Sequence, residues 1–166
     1  MSPEVGQALF GGNDGSVERS VAELSHVAHR LRRMGQLILL ATVVNIGVLI
    51  WEVGRSARWD HSSDESLMIL SICISAATLA SLGLFEALRK RGDAIFQELS
   101  DELQWHVGRS FGGPPPLERP LLHARIALRT FSAAAELPLV PGRFGGAIYA
   151  GLNLWVALAA ALLLRF

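Results

Sequence analysis

Three apolar stretches, residues 34–53, 66–85 and 147–166, constrain this chain more than any other feature of its sequence. Each is about the length an α-helix needs to cross the hydrocarbon core of a bilayer. The first carries one charge, Glu52, at its end; the second carries none before Glu86, and the third only Arg165. The expected fold class is all-α: three transmembrane helices, a cytoplasmic helical extension of the first hairpin, and one amphipathic interfacial helix. Charged residues occupy 18 % of the 166 positions, against about a quarter in a typical soluble domain, and the deficit falls in the three stretches.

Fifteen basic and fifteen acidic side chains give a formal net charge of zero, so no basic field points to nucleic acid as a partner. The lone cysteine, Cys73, lies in the second stretch. An internal disulfide is excluded, and inert packing is the ordinary role of such a thiol. The first thirty residues include Glu4, Asp14, Glu18 and Glu23 and lack an apolar core, which is not the pattern of a cleavable signal. The first span is therefore expected to act as an uncleaved signal-anchor.

Arg30, Arg32 and Arg33 precede span one, and Arg89, Lys90 and Arg91 follow span two. Between those spans, residues 54–65 hold Arg55 and Arg58 against Asp60, Asp64 and Glu65. Basic residues accumulate on the cytoplasmic side of a membrane protein. The N-terminus and residues 86–146 are thus expected inside, and residues 54–65 and the C-terminus outside. Trp51 and Trp59 then fall near the outer interface, where an indole prefers to sit. The same six basic side chains are candidates for contact with anionic lipid headgroups. Alanine- and arginine-rich usage with a single lysine fits a GC-rich bacterial genome, and hence the inner (plasma) membrane.

Residues 1–15 read as a flexible leader and 16–107 as a helical hairpin with both of its spans extended into the cytoplasm. Ser16 is the expected N-cap. Val17, Val21, Leu24, Ala28 and Leu31 follow at heptad-like steps. Beyond span two, Leu88, Ile95, Leu99 and His106 share a seam, with Phe96 and Leu103 beside it. Gly92 occupies the missing position and is expected to be a mild weak point. The opposite face carries Arg89, Arg91, Asp93, Glu98, Asp101 and Glu102. The two stripes are expected to pair with each other or to face a neighbouring subunit. Residues 108–117, with Gly112-Gly113-Pro114-Pro115-Pro116, form a Gly/Pro linker. An amphipathic helix is expected over 118–137, with Leu122, Ile126 and Ala133 on one side and Arg125, Arg129 and Glu136 on another. A helix so placed commonly lies along the membrane surface. Residues 137–146, rich in proline and glycine, re-aim the chain into span three.

The spans contain no histidine, which haem and chlorophyll in membrane helices commonly use as an axial ligand. They contain no Asp, Glu, Lys or Arg away from their ends, which proton relays and ion-coupled transporters usually need. No cofactor is expected. Their polar groups are neutral: Asn45 in span one, a stripe of Ser71, Ser75 and Thr78 in span two, and Asn153 in span three. Such groups either line a hydrated path or bond neighbouring helices. Small residues four apart, Ala76 with Ala80, Ala77 with Ser81, and Ala147 with Gly151, let helices approach closely. Spans two and three are therefore expected to be the helix-packing elements, and span one, with its leucines and isoleucines, the more lipid-facing one. Two sets have metal-ligating side-chain types, Glu23, His26 and His29, and Glu98, Glu102 and His106. Di-iron bundles carry Glu-x-x-His on two helices with further glutamates, whereas here it occurs once. A solvated polar face accounts for both sets, and no metal is expected. His106 and His123 read as interfacial side chains. No nucleophile, phosphate-loop or zinc-protease motif is present.

The hairpin over roughly residues 20–107, whose second helix runs on as FEALRKRGDAIFQELSDELQWH, resembles the two-helix membrane effectors of bacterial nucleotide-signalling defence systems, the SLATT families. That resemblance implies signal-triggered oligomerisation and membrane disruption. The third span departs from their layout, and no functional residue carries over. Read from its residues, the chain is expected to be a non-catalytic membrane subunit or scaffold, its partners the lipid bilayer and other membrane-protein subunits or further copies of itself. A homo-oligomeric pore lined by the span-two stripe is the alternative. A lipid-modifying enzyme would need the histidine and carboxylate sets to converge.

Overall fold

A computed structural model of the protein describes residues 14–59, 65–109, 118–140 and 144–164. Four helices follow one another: α1 (Asp14–Trp59), α2 (Glu65–Arg109), α3 (Glu118–Ala134) and α4 (Gly145–Leu163). An isolated antiparallel bridge between Leu137 and Val140 is the sole β-type pairing among the described residues. α1, α2 and α4 are each long and apolar enough to cross a membrane. Only 28 %, 22 % and 22 % of their most apolar windows is buried within the chain. The remaining apolar surface needs hydrocarbon or another helix around it.

The helix ends differ from expectation in informative ways. α1 begins at Asp14, two residues before Ser16, and continues to Trp59 through what read as an outer turn. Residues 54–59 contain no proline, and Arg55 reaches back to Glu52 one turn earlier, at 3.2 Å, a spacing that supports a helix. α3 stops at Ala134, three residues short of the expected Leu137. Pro138 disfavours helix in the residue before it and brings no backbone donor. The rest of the expected leader, residues 1–13, most of the expected linker, 110–117, and residues 60–64 lie outside the described residues.

The chain forms two compact units. One comprises residues up to Leu31 and Leu88–Ala135; the other comprises Arg32–Ala87 and residues from Glu136 onward. The boundaries fall where hydropathy changes, beside Arg32 and Arg89. A seven-residue register runs along α1 on both sides of the boundary. Leu24, Leu31, Ile38, Asn45 and Glu52 are all buried, as are Ala28, Gly35, Thr42 and Leu49. α2 repeats this with Ser71, Thr78, Phe85, Gly92 and Leu99. Seven-residue spacing keeps one face of a helix against its neighbour.

In the first unit three helices meet at Gly92. A Cβ at this position would collide with the ring of Phe131 and lie 3.1 Å from Val27 Cγ1. Phe131 is buried and its ring also meets Phe96, with centroids 6.0 Å apart. The expected weak point is thus the socket for α3. The buried side of α3 is Ala124, Ala127, Phe131 and Ala134, whereas Leu122, Ile126 and Ala133 face outward with Arg125 and Arg129. Alanines allow close approach and Phe131 fills the glycine notch, so shape rather than bulk hydrophobicity selects the buried side. The α1 and α2 stripes are covered by each other and by α3.

In the second unit, the turn after α3 docks on the spans. The Pro138 ring lies over Gly35, where a Cβ would approach Pro138 Cδ to 3.2 Å. The Pro138 carbonyl accepts a hydrogen bond from the Tyr149 hydroxyl at 2.6 Å. Leu139, at the exposed tip, has φ 67°, a left-handed conformation uncommon for a leucine.

Candidate functional site

The polar side chains of the three spans form a buried network within the second unit. Asn45 is its centre. Ser71 Oγ donates to Asn45 Oδ1 at 2.6 Å, and Asn45 Nδ2 donates to Ser75 Oγ at 2.7 Å. The amide thereby joins α1 to two successive turns of α2. Thr78 closes on its own helix, donating to the Ile74 carbonyl at 2.7 Å. On α4, Asn153 Nδ2 donates to Thr42 Oγ1 and to the Tyr149 carbonyl, both at 2.9 Å. Thr42 in turn donates to the Ile38 carbonyl at 2.8 Å. Asn45, Ser71, Ser75, Thr78 and Asn153, all expected at helix contacts, are buried there.

The small residues behave differently. Ala76, Ala80, Ala147 and Gly151 are exposed, so they do not serve contacts within this chain. Span one is not the peripheral element its apolar composition suggests, because Thr42 and Asn45 make it the one that bonds both others. Thr42 was missed in the sequence, although stepping by sevens from Ala28 reaches it. The same stepping from Leu24 reaches Glu52, which is fully buried. Its Oε2 accepts from Arg55 Nε and Nη2 at 3.3 and 3.2 Å. Its Oε1, and Asn153 Oδ1, are buried without a hydrogen-bond partner.

The basic residues are largely at the surface. Arg30, Arg32, Arg33, Lys90 and Arg91 are exposed and Arg89 is half-buried. Arg91 is committed to Glu23 across α1 and α2, at 2.5 Å. That pairing removes Glu23 from the first metal-type set, whose His26 and His29 are exposed. In the second set Glu98 is exposed, and the side chains of Glu102 and His106 lie outside the described residues. His123 is exposed on α3, and Cys73 is exposed on α2. Of the tryptophans expected near the outer interface, Trp51 is exposed; the side chain of Trp59 lies outside the described residues.

Comparison with protein-family models, with curated proteins and with solved structures finds no match to this chain. The site's chemistry therefore rests on its own geometry. Neutral hydrogen bonds tie three apolar helices together, and small-residue faces are left outward.

Proposed function

We propose that this chain is a non-catalytic subunit or scaffold of a membrane assembly, seated in the inner membrane of a bacterial cell. The N-terminus lies in the cytoplasm and the C-terminus outside. One observation carries the reading: Asn45, Ser71, Ser75 and Thr78 are buried and hydrogen-bonded inside the chain, as is the Asn153 Nδ2, while the small residues of α2 and α4 face outward. Satisfied amides and hydroxyls offer a passing ion or substrate little. Outward Ala76, Ala80, Ala147 and Gly151 let partner helices approach closely, which is how helices associate where lipid removes the hydrophobic drive between them. The exposed arginines on the cytoplasmic side favour this orientation. The outward face of α3, with Leu122 and Ile126 beside Arg125 and Arg129, suits an interfacial position against anionic lipid.

A pore would require Ser71, Ser75 and Thr78 to turn towards a lumen and to exchange their present partners for water. Purification in mild detergent, followed by mass spectrometry of the co-purifying chains, separates the two. A stoichiometric partner polypeptide supports the scaffold. Recovery only as homo-oligomers that make liposomes leak supports the pore.

A further inference from the structure

α1 and α2 leave an open groove of about 420 Å³ between them, in the second unit. Leu37, Ala41 and Val44 form one wall and Ile74 and Ala77 the other; no residue of α4 contributes. The volume is that of a small-molecule site. The two hydroxyls that reach it are already committed to their own helix, Thr78 to Ile74 and Ser81 to Ala77, at 2.7 and 2.8 Å. The groove therefore offers an occupant no free hydroxyl donor, and its lining of aliphatic side chains suits hydrocarbon. Arg33 lies one turn before Leu37 on the same face of α1 and is exposed. It makes no ion pair among the described residues.

Length decides between the two apolar occupants a membrane supplies. From Arg33 to Val44 the helix rises about 16 Å, close to one leaflet of a hydrocarbon core about 30 Å thick. A partner helix would need a furrow crossing both leaflets, and this one stops half-way. An acyl chain matches it, with its headgroup at the level of Arg33. We propose that the groove and Arg33 form a binding site for an anionic glycerophospholipid of the leaflet at the N-terminal end of span one. One acyl chain lies between α1 and α2, and the phosphate is held by the guanidinium, whose fork suits phosphate oxygens. The site goes beyond the scaffold reading and does not depend on it, since co-purification of a protein partner neither requires nor excludes a bound lipid.

The test uses the full chain in phosphatidylcholine nanodiscs containing a small fraction of phosphatidylglycerol with a photoactivatable acyl chain. Adducts are mapped by mass spectrometry. They are expected to concentrate at Leu37, Ala41, Ile74 and Ala77 over Leu154, Trp155 and Leu158 of α4, all three of which are exposed. Arg33→Gln is expected to reduce the groove adducts about fivefold, the effect of one basic residue at a charged membrane surface. The same probe on phosphatidylcholine, whose choline cation offsets the phosphate charge, should start from a lower yield and lose less. Ala77→Phe, which fills the groove from its α2 wall, removes both. Adducts spread evenly over the three spans overturn the proposal, as does a groove yield indifferent to Arg33→Gln. Crosslinks from the groove to a second polypeptide also overturn it, because the occupant is then a helix.

Discussion

Asn45 occupies a position where leucine would be the simplest choice, and its two hydrogen bonds to Ser71 and Ser75 explain the exception. A polar residue at a seam position fixes which turns of two helices face each other, at some expense of stability. Inter-helix bonds of this kind contribute about 0.6 kcal/mol on average and up to about 1.7 in a membrane protein. Asn45→Ala, which breaks both, is expected to destabilise the protein by about 1–2 kcal/mol, measured by detergent-driven unfolding of the full chain; no loss would mean that the amide does not hold the register. Glu52 presents the opposite balance. Removing its partner by Arg55→Ala leaves a carboxylate with 0 % exposure uncompensated, which is costly. The side chain of Arg55 is itself 37 % exposed, so water moderates the loss. The double variant Glu52→Leu with Arg55→Ala is therefore expected to be more stable than Arg55→Ala alone in the same unfolding assay. The reverse order would show that Glu52 stabilises the protein even without Arg55. Asn45, Ser71, Ser75, Thr78 and Asn153 were legible from sequence as polar residues in apolar runs. Thr42 and the burial of Glu52 were not, because each looks ordinary until the seven-residue register fixes its face.

At the scale of elements, α3 shows how side-chain bulk misleads. Leu122 and Ile126 carry its largest aliphatic side chains, yet they face outward, and alanines with one phenylalanine face in. The reason lies on another helix: Gly92 makes a hole that only a partner without clashing neighbours can enter. No periodicity within α3 reveals a notch in α2, so the sequence predicted the helix but not its buried side. Gly92→Ala separates the two views of this glycine. As a helix weak point it would be improved by about 1 kcal/mol. As the Phe131 socket it becomes overpacked, at a cost of about 1–3 kcal/mol. The socket predicts net destabilisation, read as a lower unfolding temperature by circular dichroism. Phe131→Ala alone is expected to cost about 3–5 kcal/mol. In that background Gly92→Ala should turn neutral or stabilising, because the ring it struck is gone. A loss of equal size in both backgrounds would dissociate the two residues.

For the whole molecule, composition and packing divide the chain at the same places. Apolar runs marked three spans, and contacts alone gather the same runs into one unit and the amphipathic helices into another. The number of spans was legible because hydrocarbon imposes a length and excludes charge. The direction in which they cross is a separate property, which we propose from Arg30, Arg32, Arg33, Arg89, Lys90 and Arg91 and the bias of basic residues towards the cytoplasm. The fold is compatible with either direction, so labelling must decide. Ser25→Cys and Gly54→Cys place thiols at exposed positions beyond opposite ends of span one. With a water-soluble maleimide and intact cells, Gly54→Cys is expected to react, and Ser25→Cys only after permeabilisation. The native Cys73, exposed in the middle of span two, is out of reach of such a reagent in both cases and serves as the internal control. The opposite pattern would invert the topology and move Arg33 and its groove to the outer leaflet. Reaction of Cys73 in intact membranes would mean that water reaches the face of α2 turned away from Ser71, Ser75 and Thr78, which neither the scaffold nor a pore lined by those three residues requires.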